Sequence, residues 1–379
     1  MIERIDLRFF KCFHDLALPL SRLTLLSGVN SSGKSSVLQA LALLHQTMRE
    51  HEWSAGLMLN GATLKAGSVA DVVDQVHGRR SFSIALVWNG RTFGWEFGGE
   101  RSEMYMKAER VTLDGRAGKA SQKLQHLLPL KFHKEGTELV RCVRDLTYLT
   151  AERIGPRDVH PLDDRQNAMV VGTCGEDAAS LLHSGRDEQA LEGVLIEGTQ
   201  PTRLPQAEAW MRRFFPGFSL ALEQLPRMSA VSLGFRTSDD TDFHRPTHVG
   251  FGLTQVFPIV VAGVSASKGD LIMIENPEVH LHPSGQALMG EFLAALASAG
   301  VQVVVETHSD HVLNGIRRAV KARSLAAEDT ALYFFRQRRE NEQQVVSTRL
   351  RSDGSVVEWP DGFFDQIDKD TSHLLGWDE

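Results

Sequence analysis

The chain has 379 residues, 42% hydrophobic and 23% charged, which excludes a disordered polymer and leaves room for a sizeable core. Its 41 basic and 48 acidic residues give a net charge of −7, which excludes a generally cationic nucleic-acid coat. The 3 cysteines, Cys12, Cys142 and Cys174, lie far apart and form no CxxC pair, so a disulfide framework is excluded and a reducing cytoplasm fits.

The opening MIERIDLRFF lacks the charged-then-apolar profile of a secretory leader. Together with LALPLSRLTLLSG it predicts extended strands leading into GVNSSGKSS, residues 28–36. A helix follows from about Lys34 to Glu50, with Val37, Leu41, Leu44 and Met48 on one stripe. In SFSIALVWNGRTFGWEF, Asn89-Gly90 sits between two alternating runs, which predicts a hairpin and so antiparallel strands beside the core that carries GVNSSGKSS. Residues 101–136 are polar and charged and predict a loop-rich insertion.

CVRDLTYLTAE, residues 142–152, predicts a buried strand ending at AERIGPR. Helical segments follow near 177–195 and 205–215, then a short alternating strand and a long polar loop across 225–248. The best apolar run, Val256–Ala266, is well short of the ~18 residues a membrane span needs. LIMIEN (271–276) and VQVVVETH (301–308) are apolar, β-rich runs separated by the helix-like SGQALMGEFLAALASAG. Strand, helix, strand, helix is the pattern of a parallel sheet. ALYFFR and QVVSTRLR predict two further strands ahead of WPDGFFDQ, and neither an internal repeat nor a sustained heptad run is present.

Gly-x-x-x-x-Gly-Lys-Ser is the spacing of a phosphate cradle. Backbone N–H groups across Asn30, Ser31, Ser32, Gly33, Lys34, Ser35 and Ser36 would face the phosphates at a helix N-terminus. Lys34 would bridge the β- and γ-phosphates and the Ser35 hydroxyl would ligate Mg²⁺. A chance match in a Gly/Ser turn would lack the apolar strand before the loop and the amphipathic helix after it, and both are present.

Glu275 ends an apolar strand, where ligands lie in such sheets, and Asn276, Glu278, His280 and His282 follow within eight residues. The next apolar strand ends in Glu306-Thr307-His308-Ser309-Asp310-His311, where His308 can hydrogen-bond a γ-phosphate and position water. Neighbouring Ser309, His308 and Asp310 cannot line up as a catalytic triad. His280, His282, His308 and His311 offer a transition-metal site as the alternative, without a cysteine or a zinc-like spacing to support it. Between the strands, HVGFGLTQVFPIVVAG presents Gly252, Thr254 and Gln255 at a helix N-terminus, which suits an anion, though Thr is also a common cap with no ligand.

In this order the motifs resemble ABC-type ATPases of the SMC/RecF branch. They resemble most the short bacterial AAA-type ATPases that carry a C-terminal domain of unknown function. DLRFFKCFHD, GVNSSGKSS, AERIGPR, VGFGLTQVFP, ENPEVHLHP, ETHSDH and WPDGFFDQ carry the resemblance across nearly the whole chain. It implies an α/β fold: an ABC-type P-loop ATPase head with a mixed or parallel sheet core, an antiparallel β lobe, a helical signature lobe and a small C-terminal extension. The implied division is an ATPase domain over 1–325, with 101–245 inserted between Walker A and signature, and an extension over 326–379.

The resemblance assigns GVNSSGKSS to Walker A, with Ser31 where many relatives have Gly, and Thr254 to the signature serine that caps the γ-phosphate held by another subunit. His308 matches the switch histidine, His282 falls where a D-loop aspartate sits, and Gln46 is the candidate Mg²⁺-sensing glutamine beside Ser35 and Glu275. Most ABC enzymes read Asp-Glu where this chain reads Glu275-Asn276. An amide orients water but cannot take its proton, so slow turnover is expected unless Glu278 or Glu275 serves as base.

Arg153 or Arg157 reaches a phosphate across a dimer in one reading; in the other, favoured one, Glu152–Arg153 pins a loop. Arg317, Arg318, Lys321, Arg323, Arg336, Arg338 and Arg339 form a basic run that touches DNA or a partner, or is simply solvated. The resemblance implies ATP and Mg²⁺ as cofactors, a second copy of the chain, an effector such as a nuclease encoded nearby, no membrane, and a cytoplasmic role in anti-phage defence or DNA maintenance.

Overall fold

A sheet of 6 strands positions everything else. Its order is Thr147–Leu149, Leu271–Glu275, Gln302–Glu306, Leu23–Gly28, Thr330–Phe335, Val345–Thr348. Neighbours run parallel except the last pair, which is antiparallel. The computed structural model describes residues 1–379 apart from 77, 119–123, 163–169, 239, 340–341 and 378–379. Runs such as LIMI and VVV are apolar at every position because this sheet is covered on both faces. Leu23, Leu25, Ile272, Ile274, Val303 and Val305 enter one core, while Leu26, Leu271, Met273 and Val304 enter a second.

The second core is closed by the helix Lys34–Glu50 and by an antiparallel sheet of 7 strands. Strands Ile2–Phe10, Phe13–Pro19, Ser81–Trp88 and Arg91–Gly98 are neighbours in that sheet. Asn89 and Gly90, at φ 49 and 70, make the tight turn that the sequence predicts.

Two expectations are corrected here. Tyr105–Leu113 is a 9-residue strand of this sheet, where a loop-rich insertion was expected. Met106, Ala108, Val111 and Leu113 point inward, and Lys107, Glu109 and Arg110 disguise the alternation. Of residues 142–152 only Thr147–Leu149 is strand, because Cys142–Arg144 closes the helix His133–Arg144.

The first core is covered by helices Phe251–Ser265, Pro283–Ser298 and Asp310–Lys321, with Ala178–Ser184, Arg203–Phe214 and a small sheet of 3 strands at its margin. Past residue 325 the chain does not leave the core: Thr330–Phe335 pairs in parallel with Leu23–Gly28, directly beside the glycine-rich loop. Trp359, Phe363 and Phe364 then pack as an aromatic cluster against Phe334. Among the described residues no helix is long and apolar enough to cross a membrane.

Candidate functional site

The loop between Leu23–Gly28 and Lys34–Glu50 is held from below. A Cβ on Gly28, at φ 142, would come 2.1 Å from the Phe335 carbonyl oxygen, and one on Gly33, at φ 103, would come 2.5 Å from Cys12 Sγ. Ser31 takes the left-handed region at φ 60 without being glycine. The Ser32 hydroxyl donates to Val29 O (2.7 Å), and Lys34 Nζ donates to Gly28 O (3.1 Å) and Val29 O (2.8 Å). Ser36 N–H donates to Gly33 O (3.0 Å), so that amide belongs to the helix start.

Asn30 through Ser36, with Gln39, Glu306 and His308, surround an open depression of about 300 Å³. Burial pushes the Lys34 ammonium below its usual range, opposed by the nearby Glu306 carboxylate. Such a loop at a helix N-terminus presents amide dipoles and one cation to a polyphosphate.

Three carboxylates reach this end of the sheet, and each has a different task. Glu275 accepts from the Tyr148 hydroxyl (2.6 Å) and from Ala151 N–H (3.1 Å), so both of its oxygens are engaged on the side away from the loop. Glu278 accepts from the Thr307 hydroxyl and from His308 N–H, both at 2.8 Å, and thereby shapes the turn that carries His308. The Ser35 hydroxyl donates to Glu306 Oε1 (3.1 Å). Glu306 is 6% exposed, its Oε2 is buried with no hydrogen-bond partner, and burial, with Glu275 beside it, pushes its carboxyl up to about 7.

Sequence reasoning left Glu306 without a role. The available signal was that both central apolar runs, LIMIE and VVVE, end in an acid, and the register pairs Glu275 with Glu306.

Asn276 follows at φ 43, with its N–H on Glu306 O (2.8 Å) and its Oδ1 buried without a partner. Arg153 holds this turn from the other side. Its guanidinium donates to Thr150 O (3.1 Å), Glu275 O (2.9 Å), Asn276 O (2.6 Å) and Gln255 Oε1 (3.2 Å). Burial lowers its pKa to about 10. The loop-pinning reading of AERIGPR is therefore what the geometry carries, for Arg153 rather than Glu152.

Other expected site residues stand elsewhere. Gly252, Thr254 and Gln255 lie in the first turns of Phe251–Ser265, outside the depression; Thr254 donates to Phe251 O (2.9 Å) and is not the cap, which is Gly250. Gln46 sits 11 residues beyond Ser35, about 16 Å along the helix axis. Its amide donates to Met58 O (2.7 Å) and accepts from Leu64 N–H (2.9 Å), so it braces a neighbouring segment rather than the loop.

His280 stacks on Phe251, His282 bonds Ser284 at the start of Pro283–Ser298, and His311 faces Asp310. Among the described residues no three His, Cys, Asp or Glu side chains gather as a metal site. The basic run is dispersed: Arg317 bonds Gly354 O, Arg318 faces Glu291, Arg338 reaches buried Asp74 and Arg339 faces Glu342.

A phosphate loop whose strand is flanked by one that leads into His308, with a second acid-ended strand beyond, is the arrangement of a P-loop ATPase head of ABC type. A family described as AAA ATPase domain matches residues 1–110 and 230–313, and the chain belongs to that family. Residues 325–374 match a family described as a protein of unknown function (DUF3696). The OLD nuclease of Thermus scotoductus is 23% identical over 328 residues, 82% of this chain; the chain spans 59% of that protein's length.

The fold is that of an SMC head. The SmcHead solved with the C-winged helix domain of ScpA superposes with a TM-score of 0.59 at 14% identity, over 92% of this chain and 98% of that one. The Smc head domain with an extended coiled coil, bound to the C-terminal domain of ScpA derived from Pyrococcus furiosus, gives 0.56 at 12% identity, over 100% and 99%. The chain is thus an ATPase of the AAA ATPase domain family with the fold of an SMC head, and its last segment matches a family of unknown function.

Proposed function

We propose that the chain is an ATP-driven switch: it binds ATP with Mg²⁺ at the 28–36 loop, pairs head to tail with a second copy, hydrolyses slowly and thereby sets the state of an effector. The observation that carries this is the placement of Lys34, Ser35, Glu306 and His308 around one depression while Gly252, Thr254 and Gln255 stand outside it. Half of an ATP site is present on each face, and a second copy supplies the complement.

In this reading the amides of residues 30–35 and the Lys34 ammonium bind the phosphates, and Ser35 with a carboxylate beside it holds the cation. Those hard oxygen donors fit Mg²⁺, which would neutralise charge developing on the phosphoryl group. His308, at the rim, hydrogen-bonds the γ-phosphate. Asn276 orients water by its amide and takes no proton, which limits turnover. Thr254 of the partner copy caps the γ-phosphate from a helix N-terminus.

For the effector, a nuclease is the class that the OLD nuclease relative suggests; the setting in anti-phage defence or DNA maintenance rests on the sequence resemblance. The amide at Asn276 favours one second reading, an ATP-locked scaffold with negligible turnover. Phosphate release by purified protein decides between them, with Lys34→Ala as background. Release above that background is expected, at a rate at least about 100-fold above the variant's. Release equal to it would remove the hydrolysing switch. Light scattering with ATP is expected to give a dimer that Thr254→Arg abolishes; a monomer under both conditions would remove the sandwich.

A further inference from the structure

A second polar hollow, of about 400 Å³, lies at the other end of the 6-strand sheet. Asp270 lines it and immediately precedes Leu271–Glu275, so the hollow stands about 16 Å from Glu275 along that strand. Three helix C-termini converge on it. Lys34–Glu50 brings Arg49, His133–Arg144 brings Arg141 and Arg144, and Phe251–Ser265 brings Ser265. Lys268 and Asp145 stand in the same wall.

The charges in this wall are unevenly paired. Arg144 donates twice to its neighbour Asp145, both at 2.8 Å, so those two groups answer each other. Asp270 accepts from Ser267 N–H (2.8 Å). Arg141 is near enough to Asp270 to feel its charge, yet among the described residues neither the Arg141 nor the Lys268 side chain makes a hydrogen bond or ion pair. The Arg141 guanidinium lies 4.0 Å from where a Cβ on Gly269 would stand, next to Lys268 in the chain. Two unpaired cations on one hollow repel each other, and an anion between them reverses that cost.

A helix dipole accounts for one cation in a last turn. It does not account for a second on His133–Arg144, nor for Lys268, which lies in the loop beyond Phe251–Ser265. Nor does it account for Ser265, a side chain in a residue only 7% exposed whose Oγ is buried with no hydrogen-bond partner. Buried hydroxyls without a partner are rare in folded chains.

We infer that this hollow is a binding site for a small phosphate ester, with Arg141 and Lys268 on the phosphate and Asp270 on donor groups of the remainder. A guanidinium fork and an ammonium are the side chains that bind phosphate best. The volume lies in the range of small-molecule sites, and a bare phosphate ion would leave most of it empty. Asp270 adds selectivity, because a carboxylate repels a free anion but accepts from the hydroxyls of a sugar phosphate. The site shares no residue with the depression around Lys34 and does not depend on ATP binding there.

Isothermal titration of the whole chain with ribose 5-phosphate, and separately with inorganic phosphate, tests this. Ribose 5-phosphate is expected to bind wild type more tightly than inorganic phosphate does. Arg141→Gln is expected to weaken it by about 10-fold or more, and Lys34→Ala to leave it within about 2-fold. Arg141 and Lys268 are both exposed, so Lys268→Gln carries the same comparison should Arg141→Gln fail to fold. Binding lost in Lys34→Ala and kept in Arg141→Gln would put the phosphate at the glycine-rich loop and overturn the inference. No heat from either probe at about 10 mM would also overturn it. Inorganic phosphate bound as tightly as the ester would leave an adventitious ion only, and the ester site would fall.

Discussion

Asn276 occupies the left-handed region, at φ 43, immediately before Pro277. Among non-glycine residues Asn tolerates that region best, and most others carry a cost of about 1–2 kcal/mol there. The residue that distinguishes this chain from Asp-Glu enzymes therefore also suits its backbone. His45 is a second residue whose chemistry burial decides. It lies in Lys34–Glu50 with Nδ1 on Val143 O (2.9 Å), and desolvation pushes its imidazole down to about 4 from 6.5.

The unfolded chain binds the His45 proton from about pH 6.5 downward while the folded chain refuses it until about pH 4. Stability from this group is therefore complete above pH 6.5 and is lost as pH falls through that window, by on the order of 3 kcal/mol. Urea midpoints from pH 7 to 4 are expected to fall more steeply for wild type than for His45→Gln; parallel curves would contradict this.

At this scale the loop residues were legible because their spacing is the chemistry. Glu306 was not, because whether an acid faces a ligand depends on which strand lies next to the loop. The partners of Glu278 and Gln46, Thr307, His308, Met58 and Leu64, were not legible for the same reason: they come together only on folding.

Helices Pro283–Ser298 and Asp310–Lys321 cross through two glycines. A Cβ on Gly290 would lie 2.1 Å from Val312 O, and one on Gly315 only 1.9 Å from Ala287 O. Gly315→Ala gains about 1 kcal/mol of intrinsic helix preference, yet it must push the two helix backbones apart. A net loss of about 1–3 kcal/mol is expected in urea unfolding. Increased stability would show that the crossing is looser than the backbone distances require.

The C-terminal hairpin is the other element with leverage on the site. Gln344 Nε2 donates to Ser32 O (2.9 Å), 312 residues away, and Arg338 reaches Asp74 (3.3 Å). The strands and the Asn89-Gly90 turn were readable from periodicity and turn chemistry, whereas this contact was not, since it joins segments with no shared local pattern. Tyr105–Leu113 was concealed because Glu109 and Arg110 are both exposed where the pairing register shifts, which breaks the period of two that marks a strand.

Across the whole molecule, the 6-strand sheet separates two cores, and the loop, Glu275 and Glu306 lie at the same end of its parallel strands. The α/β class followed from alternating strand and helix patterns, and the SMC-head fold agrees with it. Strand order did not follow, because Gln302–Glu306 inserts between two strands that precede it in the chain.

Arg153 has a consequence at this scale. It bonds Gln255, in the helix that would face a partner's nucleotide, and also the Glu275–Asn276 turn beside its own. In a head-to-tail pair each subunit then wires the donor half of one site to the acceptor half of the other, and the two links close into a ring. Such wiring in the proposed pair would couple the two sites. Phosphate release plotted against ATP is expected to be sigmoidal for wild type and hyperbolic for Arg153→Lys, whose ammonium cannot span four acceptors. Equal steepness in both would place the communication elsewhere; a difference would mean that neither nucleotide can be gained or spent alone.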